Sequence, residues 1–225
     1  MESIVFTPDL MLQWYLLGVI SLFPMVNPFS TIPLLLSLTR NMPDEARSRQ
    51  ALRAVVYSAF LMEGTLLAGS LVLAFFNISV PSLRIAGGLV VAFLGFRMLF
   101  PSTDNAKSVA SEQDPGEHPD YSFVPLAFPS LCGAGTMAVL ISFSSTIGSA
   151  NATIPVKFAA HVAGLLAIIT VSAVTALLLR SSVKVARYLG DSGMGAIERI
   201  MGLLMVCIGV QFIANGIKDF IHMSL

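Results

Sequence analysis

The sequence predicts an all-α integral membrane protein: six transmembrane helices in two inverted three-helix repeats, the first helix of each repeat broken. Three observations carry this. The 225-residue chain is 55% hydrophobic and only 12% charged, where a soluble domain carries about a quarter charged residues. Its apolar residues fall into six segments long enough to cross a bilayer, three on either side of a polar stretch at 101–121. The first segment of each set holds two prolines four residues apart, Pro24 and Pro28 in one, Pro125 and Pro129 in the other. The organisation expected is a first repeat at 1–100, a flexible cytoplasmic linker at 101–121 and a second repeat at 122–225.

Segment 1, Leu10 to Leu38, would be about 43 Å long as one helix against a hydrocarbon core of about 30 Å, so it must tilt, break or protrude. Its middle reads Phe23-Pro24-Met25-Val26-Asn27-Pro28-Phe29-Ser30-Thr31. Pro28 supplies no backbone donor and frees a carbonyl one turn earlier, and lipid cannot satisfy Asn27. Two readings stand: a packed proline kink, or a break whose half-helix ends face a solute or ion, as in secondary transporters. The start, Met1-Glu2-Ser3, has no basic n-region and no small-residue cleavage site follows, so the segment is expected to stay as an anchor. The next loop holds Arg40, Arg47, Arg49 and Arg53, and Pro43-Asp44-Glu45 opens a short surface helix. Segment 2, Ala54 to Phe76, carries Glu63 and Gly64 near its middle, and an uncharged turn runs from Asn77 to Ser82. Segment 3, Leu83 to Phe100, opens with Arg84 and sets Gly87, Gly88, Ala92 and Gly95 for close helix approach.

The linker has Asp114-Pro115-Gly116 as its clearest turn. Segment 4, Phe123 to Ile147, follows its prolines with Cys132-Gly133-Ala134-Gly135-Thr136. Segment 5, Phe158 to Leu179, has His161 near its outer end, and Arg180, Lys184 and Arg187 follow it. Segment 6, Ile200 to Ile217, ends in a tail with Lys218, Asp219 and His222. Arg84-Ile85-x-Gly87-x-Leu89-x-Val91 matches Arg199-Ile200-x-Gly202-x-Leu204-x-Val206, which with the proline pairs forms the repeat. An odd number of crossings per copy turns the second copy upside down. Charge sets the orientation. Arg40, Arg47, Arg49, Arg53, Arg97, Lys107, Arg180, Lys184, Arg187 and Arg199 fall on the cytoplasmic side, only Arg84, Lys157 and Lys218 outside, and both termini are periplasmic. A re-entrant hairpin at segment 4 would put the two basic loops on opposite sides, so that segment is expected to be broken but spanning.

A net charge of zero argues against a nucleic-acid partner. Cys132 and Cys207 lie in apolar runs without metal spacing, and no metal or cofactor is expected. No zinc motif, nucleophile elbow or phosphate loop occurs, so no enzyme activity is expected; Ser130 with His161 is the one nucleophile–base pair on offer, and their spacing does not support it. Glu63 is the only carboxylate deep in a predicted span, where an unpaired charge costs about 2.5–3.5 kcal/mol. It either carries a transported proton or is a hydrogen-bonded neutral carboxyl. Arg84 and Arg199 are expected to snorkel to headgroups. The hydroxyls of Ser142, Ser144, Ser145 and Thr146 are expected to bond back to their own helix, the alternative being that on one face they line a path.

Three stretches together resemble the MarC family of bacterial inner-membrane proteins: Met25 to Thr31, Pro81 to Phe100 with its Arg84-Ile85-Ala86-Gly87-Gly88 run, and Phe123 to Ser130. The closing Met201 to Phe212 agrees, and the likeness covers nearly the whole chain. It departs in segment 4, where family members often show Gly-Pro-Gly and this chain has Gly133-Ala134-Gly135, so a gentler break is expected. The resemblance implies six spans in a bacterial inner membrane and a distant likeness to LysE-type exporters, but no substrate. The function expected is a small-solute secondary transporter or exporter. Its site would lie between the breaks, formed by Asn27, Pro28, Ser30 and Thr31 with Pro129, Ser130, Gly133, Gly135 and Thr136, and Glu63 would couple a proton. The alternative is a non-transporting membrane scaffold or regulatory protein. The lipid bilayer and an unknown small solute are the partners expected, and a homo-oligomer is left open.

Overall fold

A computed structural model describes residues 8–100, 120–149 and 154–224, so most of the linker read at 101–121 lies outside the described residues. Helix α1 (Pro8–Val26) ends at Asn27, whose φ of 43° and ψ of 67° are left-handed. Asparagine is among the few residues with a Cβ that accept this conformation. Pro28, whose fixed φ suits a first helical position, opens α2 (Pro28–Leu38) immediately afterwards. The break is thus a single residue, and Met11–Leu38 remains one apolar stretch long enough to cross a bilayer.

Helix α3 (Asp44–Phe75) corrects the separate surface helix: it and segment 2 form one 32-residue helix, because Arg, Gln, Ala and Leu between them all sustain helix. Asn77, with φ of 52°, turns the chain. Ser79 then caps α4 (Val80–Leu99) by accepting from the Ser82 N–H at 3.3 Å.

Segment 4 comprises a wide-wound stretch, Ser122–Leu131, and α5 (Ala134–Ser149), bent by 61°, so its break is not gentle. Val124 and Phe128 are extended, with φ of −117° and −128°, as a following proline favours. Around each the backbone closes by an i→i−5 bond, Leu126 N–H to the Tyr121 carbonyl at 3.3 Å and Cys132 N–H to that of Ala127 at 2.9 Å. Tyr121 N–H donates to Gln50 Oε1, near the start of α3, at 3.1 Å. Ile141 of α5 lies against Gly69, 19 residues and about 28 Å further along α3. The broken segment therefore advances about one hydrocarbon thickness in one direction, as a broken span does and a re-entrant hairpin does not.

Helices α6 (Ile154–Arg180) and α7 (Ser182–Ser224) complete the bundle. α7 is interrupted at Gly190, φ 63°, and the helix that carries its apolar segment runs Ser192–Ile221, starting eight residues ahead of the apolar segment read from Ile200. Glu198 and Arg199 therefore lie on the helix that carries the span. α4 and α7 pack antiparallel on glycine: a Cβ on Gly88 would stand 2.6 Å from the Gly209 carbonyl oxygen, and one on Gly95 2.6 Å from that of Gly202. Only bare backbone permits this approach. Gly88 to Gly202 and Gly95 to Gly209 are both displacements of 114 residues, so the two contacts exchange when the halves are swapped. The sequence match of Arg84 with Arg199 is 115 apart; in the register of this seam Arg84 corresponds to Glu198.

The broken backbone lies inside the bundle. In the most apolar window of Met11–Leu38, 50% is buried, against 28% in α3 and α4 and 22% in α7, so protein rather than lipid surrounds the break. Leu22, Val26, Ile32, Leu126, Leu131 and Ile168 are almost fully buried around it. Phe60, Leu71, Phe75, Phe93 and Leu177 point outward, an apolar rim that would be costly in water and suits a bilayer.

Candidate functional site

Between the two breaks lies a cavity of about 370 Å³. Asn27 and Ser30 border it from the first break, and Pro129, Ser130, Gly133, Gly135 and Thr136 from the second. Thr31 stands behind them, its hydroxyl 2.9 Å from that of Ser130, so a direct hydrogen bond joins the halves. Pro28 is buried at the start of α2 and does not line the cavity. Glu63 is half-buried on α3, has no hydrogen-bond or ion-pair partner among the described residues, and does not line it either.

Asn27 is only 4% exposed. An asparagine preceding a helix ordinarily caps it with its side-chain oxygen, but this one makes no cap bond. Its amide nitrogen instead donates to the Met98 thioether at 3.2 Å, and a sulfur without a proton fixes which way the amide faces. Oδ1 is left buried without a partner. The break's carbonyl is better served, since the hydroxyls of Ser30 and Thr31 donate to Asn27 O at 3.2 and 3.4 Å. Thr136 is 1% exposed and donates to the Leu131 carbonyl at 3.4 Å.

The first turns of α2 and α5 both border the cavity, and neither holds an acidic residue. Their leading N–H groups have no partner within the helix and carry the positive ends of two helix dipoles. Two charged residues join the lining, Arg97 from the last turn of α4 and Glu198 from α7, beside Met25, Leu94, Met98 and Met205. No ion pair joins them or ties either elsewhere among the described residues. Arg97 lies over the Phe93 ring, 6.0 Å from its centroid. Sequence reasoning missed Glu198 because Gly190, Gly193 and Gly195 delay the apparent start of segment 6. Its signal was the charged residue facing Arg84 once the glycines of the two halves are aligned.

A profile described as "MarC family integral membrane protein" matches residues 12–221. This chain belongs to the MarC family. It is 44% identical over 210 residues to the "UPF0056 inner membrane protein MarC" of Escherichia coli strain K12, covering 91% of this chain and 94% of that one. The protein of the same name from Shigella flexneri is similar to the same extent. No solved structure matches. With five helices of crossing length among the described residues, or six counting the bent pair, this MarC-family chain is a multi-pass inner-membrane protein.

Among the other predicted polar groups Arg84, Thr146 and His161 have structural partners, whereas the buried Ser144 hydroxyl, expected to bond back to its own helix, has none among the described residues. Arg84 does not snorkel: it donates to Ser142 Oγ at 3.2 Å and Thr146 Oγ1 at 2.7 Å and pairs with Asp219, tying α4 to α5 and α7. A second cavity, of about 280 Å³, opens beside it. Thr146 does bond back to its own helix, at the Ser142 carbonyl, 2.8 Å. His161 Nδ1 is 2.9 Å from the Lys157 carbonyl, while Ser130 bonds Thr31, so this pair is not brought into contact.

Proposed function

We propose that this chain is a secondary transporter or exporter of a small solute, with the cavity between the two breaks as its site. The observation that carries the reading is Asn27: an almost fully buried residue at the wall of a cavity built from both halves forgoes its own helix cap and leaves Oδ1 without a partner. A buried acceptor without a donor costs about 1–3 kcal/mol, a cost that a bound solute or water would relieve. The architecture behind the site is a pair of inverted three-helix repeats. Supporting it are the proline pairs and the glycine seam, whose contacts exchange under one 114-residue displacement. Both termini lie on the periplasmic side, on the count of Lys and Arg, and Glu63 carries the coupling proton.

Purified protein in liposomes tests this, with solute flux read beside thermal stability in detergent. Asn27→Gly, which keeps the left-handed backbone, and Thr136→Val are expected to abolish flux while the fold holds, since each removes a buried polar group. Glu63→Gln is expected to fold normally and to lose only the dependence of flux on a pH gradient. Wild-type flux of a demonstrated solute in both break variants would replace the transporter by the packing reading, a scaffold with two kinks.

A further inference from the structure

We infer that the second cavity, beside Arg84, is the far end of the same solute path. Arg84 with Asp219 is the latch that shuts this end, while an unmade latch between Arg97 and Glu198 leaves the other end open. This rests on the transporter reading and gives the regulation of its site. Four elements line both cavities, at successive heights. Along α4, Arg84 borders the second cavity and Leu94 the first; along α7, which runs the opposite way, Met205 borders the first and Phe212 the second. Along segment 1, Leu22 borders the second and Met25 the first; along α5, Thr136 borders the first and Val139 the second. Steps as short as these, from Leu22 to Met25 or from Thr136 to Val139, advance a helix by about 5 Å. What lies between the cavities is an apolar plug. Val91 is fully buried, and its side chain and the Met25 sulfur stand 3.1 and 3.7 Å from where a Cβ on Gly135 would be.

Swapping the halves exchanges the cavities as it exchanges the glycine contacts. In the 114-residue register of the seam Arg84 corresponds to Glu198 and Met98 to Phe212; Glu198 and Met98 line the first cavity, Arg84 and Phe212 the second. Each end thus has a charged seam residue, but the two ends differ in state. At the second, Arg84 is held by Ser142 and Thr146 of α5 and paired with Asp219 of α7, and Arg84, Thr146 and Asp219 all lie close to the ends of their helices. At the first, no ion pair joins Arg97 to Glu198. Counted from the facing Gly95 and Gly202, these two stand toward the same end of the bundle and differ in height by about 3 Å, which two long side chains span. An ion pair that water reaches adds little net stability, and both side chains of the Arg84 pair are partly exposed. A latch of this kind parts and re-forms readily, whereas the glycine seam stays. Closing one end as the other opens moves a solute past the plug without a continuous channel.

The test is thiol labelling of the full-length protein in lipid nanodiscs by a water-soluble maleimide. One reporter is placed in a Cys132→Ala, Cys207→Ala background, either Ser21→Cys in the second cavity or Ser30→Cys in the first. With Arg84 and Asp219 intact, Ser30→Cys is expected to label the faster. Asp219→Asn and Arg84→Gln should raise the rate at Ser21→Cys and lower that at Ser30→Cys, each by about tenfold. Glu198→Gln disables the other latch and should move both rates the opposite way; it decides alone if the Arg84 and Asp219 variants fail to fold. Such opposed changes are not the signature of a loosened fold, which labels both reporters faster. Rates that stay as they were, or that rise together at both reporters, would overturn the inference. Solute flux measured alongside separates the two readings. Unmoved reporters with Asn27-dependent flux remove the latch and keep the transporter, whereas opposed reporters without flux of any solute keep two alternating cavities and remove transport.

Discussion

Asp120 shows how single residues anchor the start of the second half. Its carboxylate accepts from the Ser122 hydroxyl and, at 2.9 Å, from the Ser122 N–H, and Arg53 of α3 lies 3.5 Å away. These hydrogen bonds, with Arg53 behind them, hold its pKa below the usual carboxylate value. A lowered folded-state pKa stabilises the protein above the unfolded value of about 3.9, and that contribution fades as pH falls through the folded one. Thermal stability in detergent should therefore drop on acidification below about pH 4, and Asp120→Asn should flatten that drop. The difference will be small, because both side chains of the ion pair are more than half exposed to water. A wild-type profile no steeper than that of the variant would contradict the assignment. Asn27 shows the opposite economy, a polar side chain left without full satisfaction at the centre of the bundle.

At the scale of elements, the glycine seam and the two breaks divide the work of rigidity and access. Gly88→Ala places a methyl 2.6 Å from the Gly209 carbonyl oxygen, which is backbone and cannot step aside; a loss of about 1–3 kcal/mol follows from such overpacking. Gly64→Ala on α3 meets nothing within 4 Å and should gain about 0.5–1 kcal/mol from helix propensity. Thermal melts of the two variants beside wild type check both signs. Both breaks were legible in the sequence, because Asn27-Pro28 and Pro125 with Pro129 violate helix chemistry inside apolar runs, and such violations have few causes. The helical start of the last span was not, since Gly190 to Gly195 reads as a loop by composition, whereas the chain is helical again from Ser192 onward. Glu198 was lost with that boundary. Glu63 was found by its depth in a span, a criterion blind to which face of α3 it occupies.

For the whole molecule, the proposed topology counts segment 4 as one broken span, which makes six crossings and gathers the basic loops at one side. Reporters fused after Leu225 should behave as periplasmic and reporters within 101–121 as cytoplasmic; a cytoplasmic C-terminus would contradict the six-span topology. That the halves would meet at their breaks was foreseeable from the paired prolines, but the partners that make them meet were not, because hydrogen bonds between distant side chains leave no local pattern. The central claim is that the two breaks, about a hundred residues apart in the chain, bound one site. Cross-linking measures this most directly: Thr31→Cys with Ser130→Cys in a Cys132→Ala, Cys207→Ala background, oxidised mildly in native membranes. Their hydroxyls stand 2.9 Å apart, so a disulfide should form in high yield, and Thr31→Cys paired instead with a cysteine at outward-facing Leu71 should give none. Absence of the Thr31–Ser130 cross-link in protein that still inserts and survives extraction would contradict a shared site.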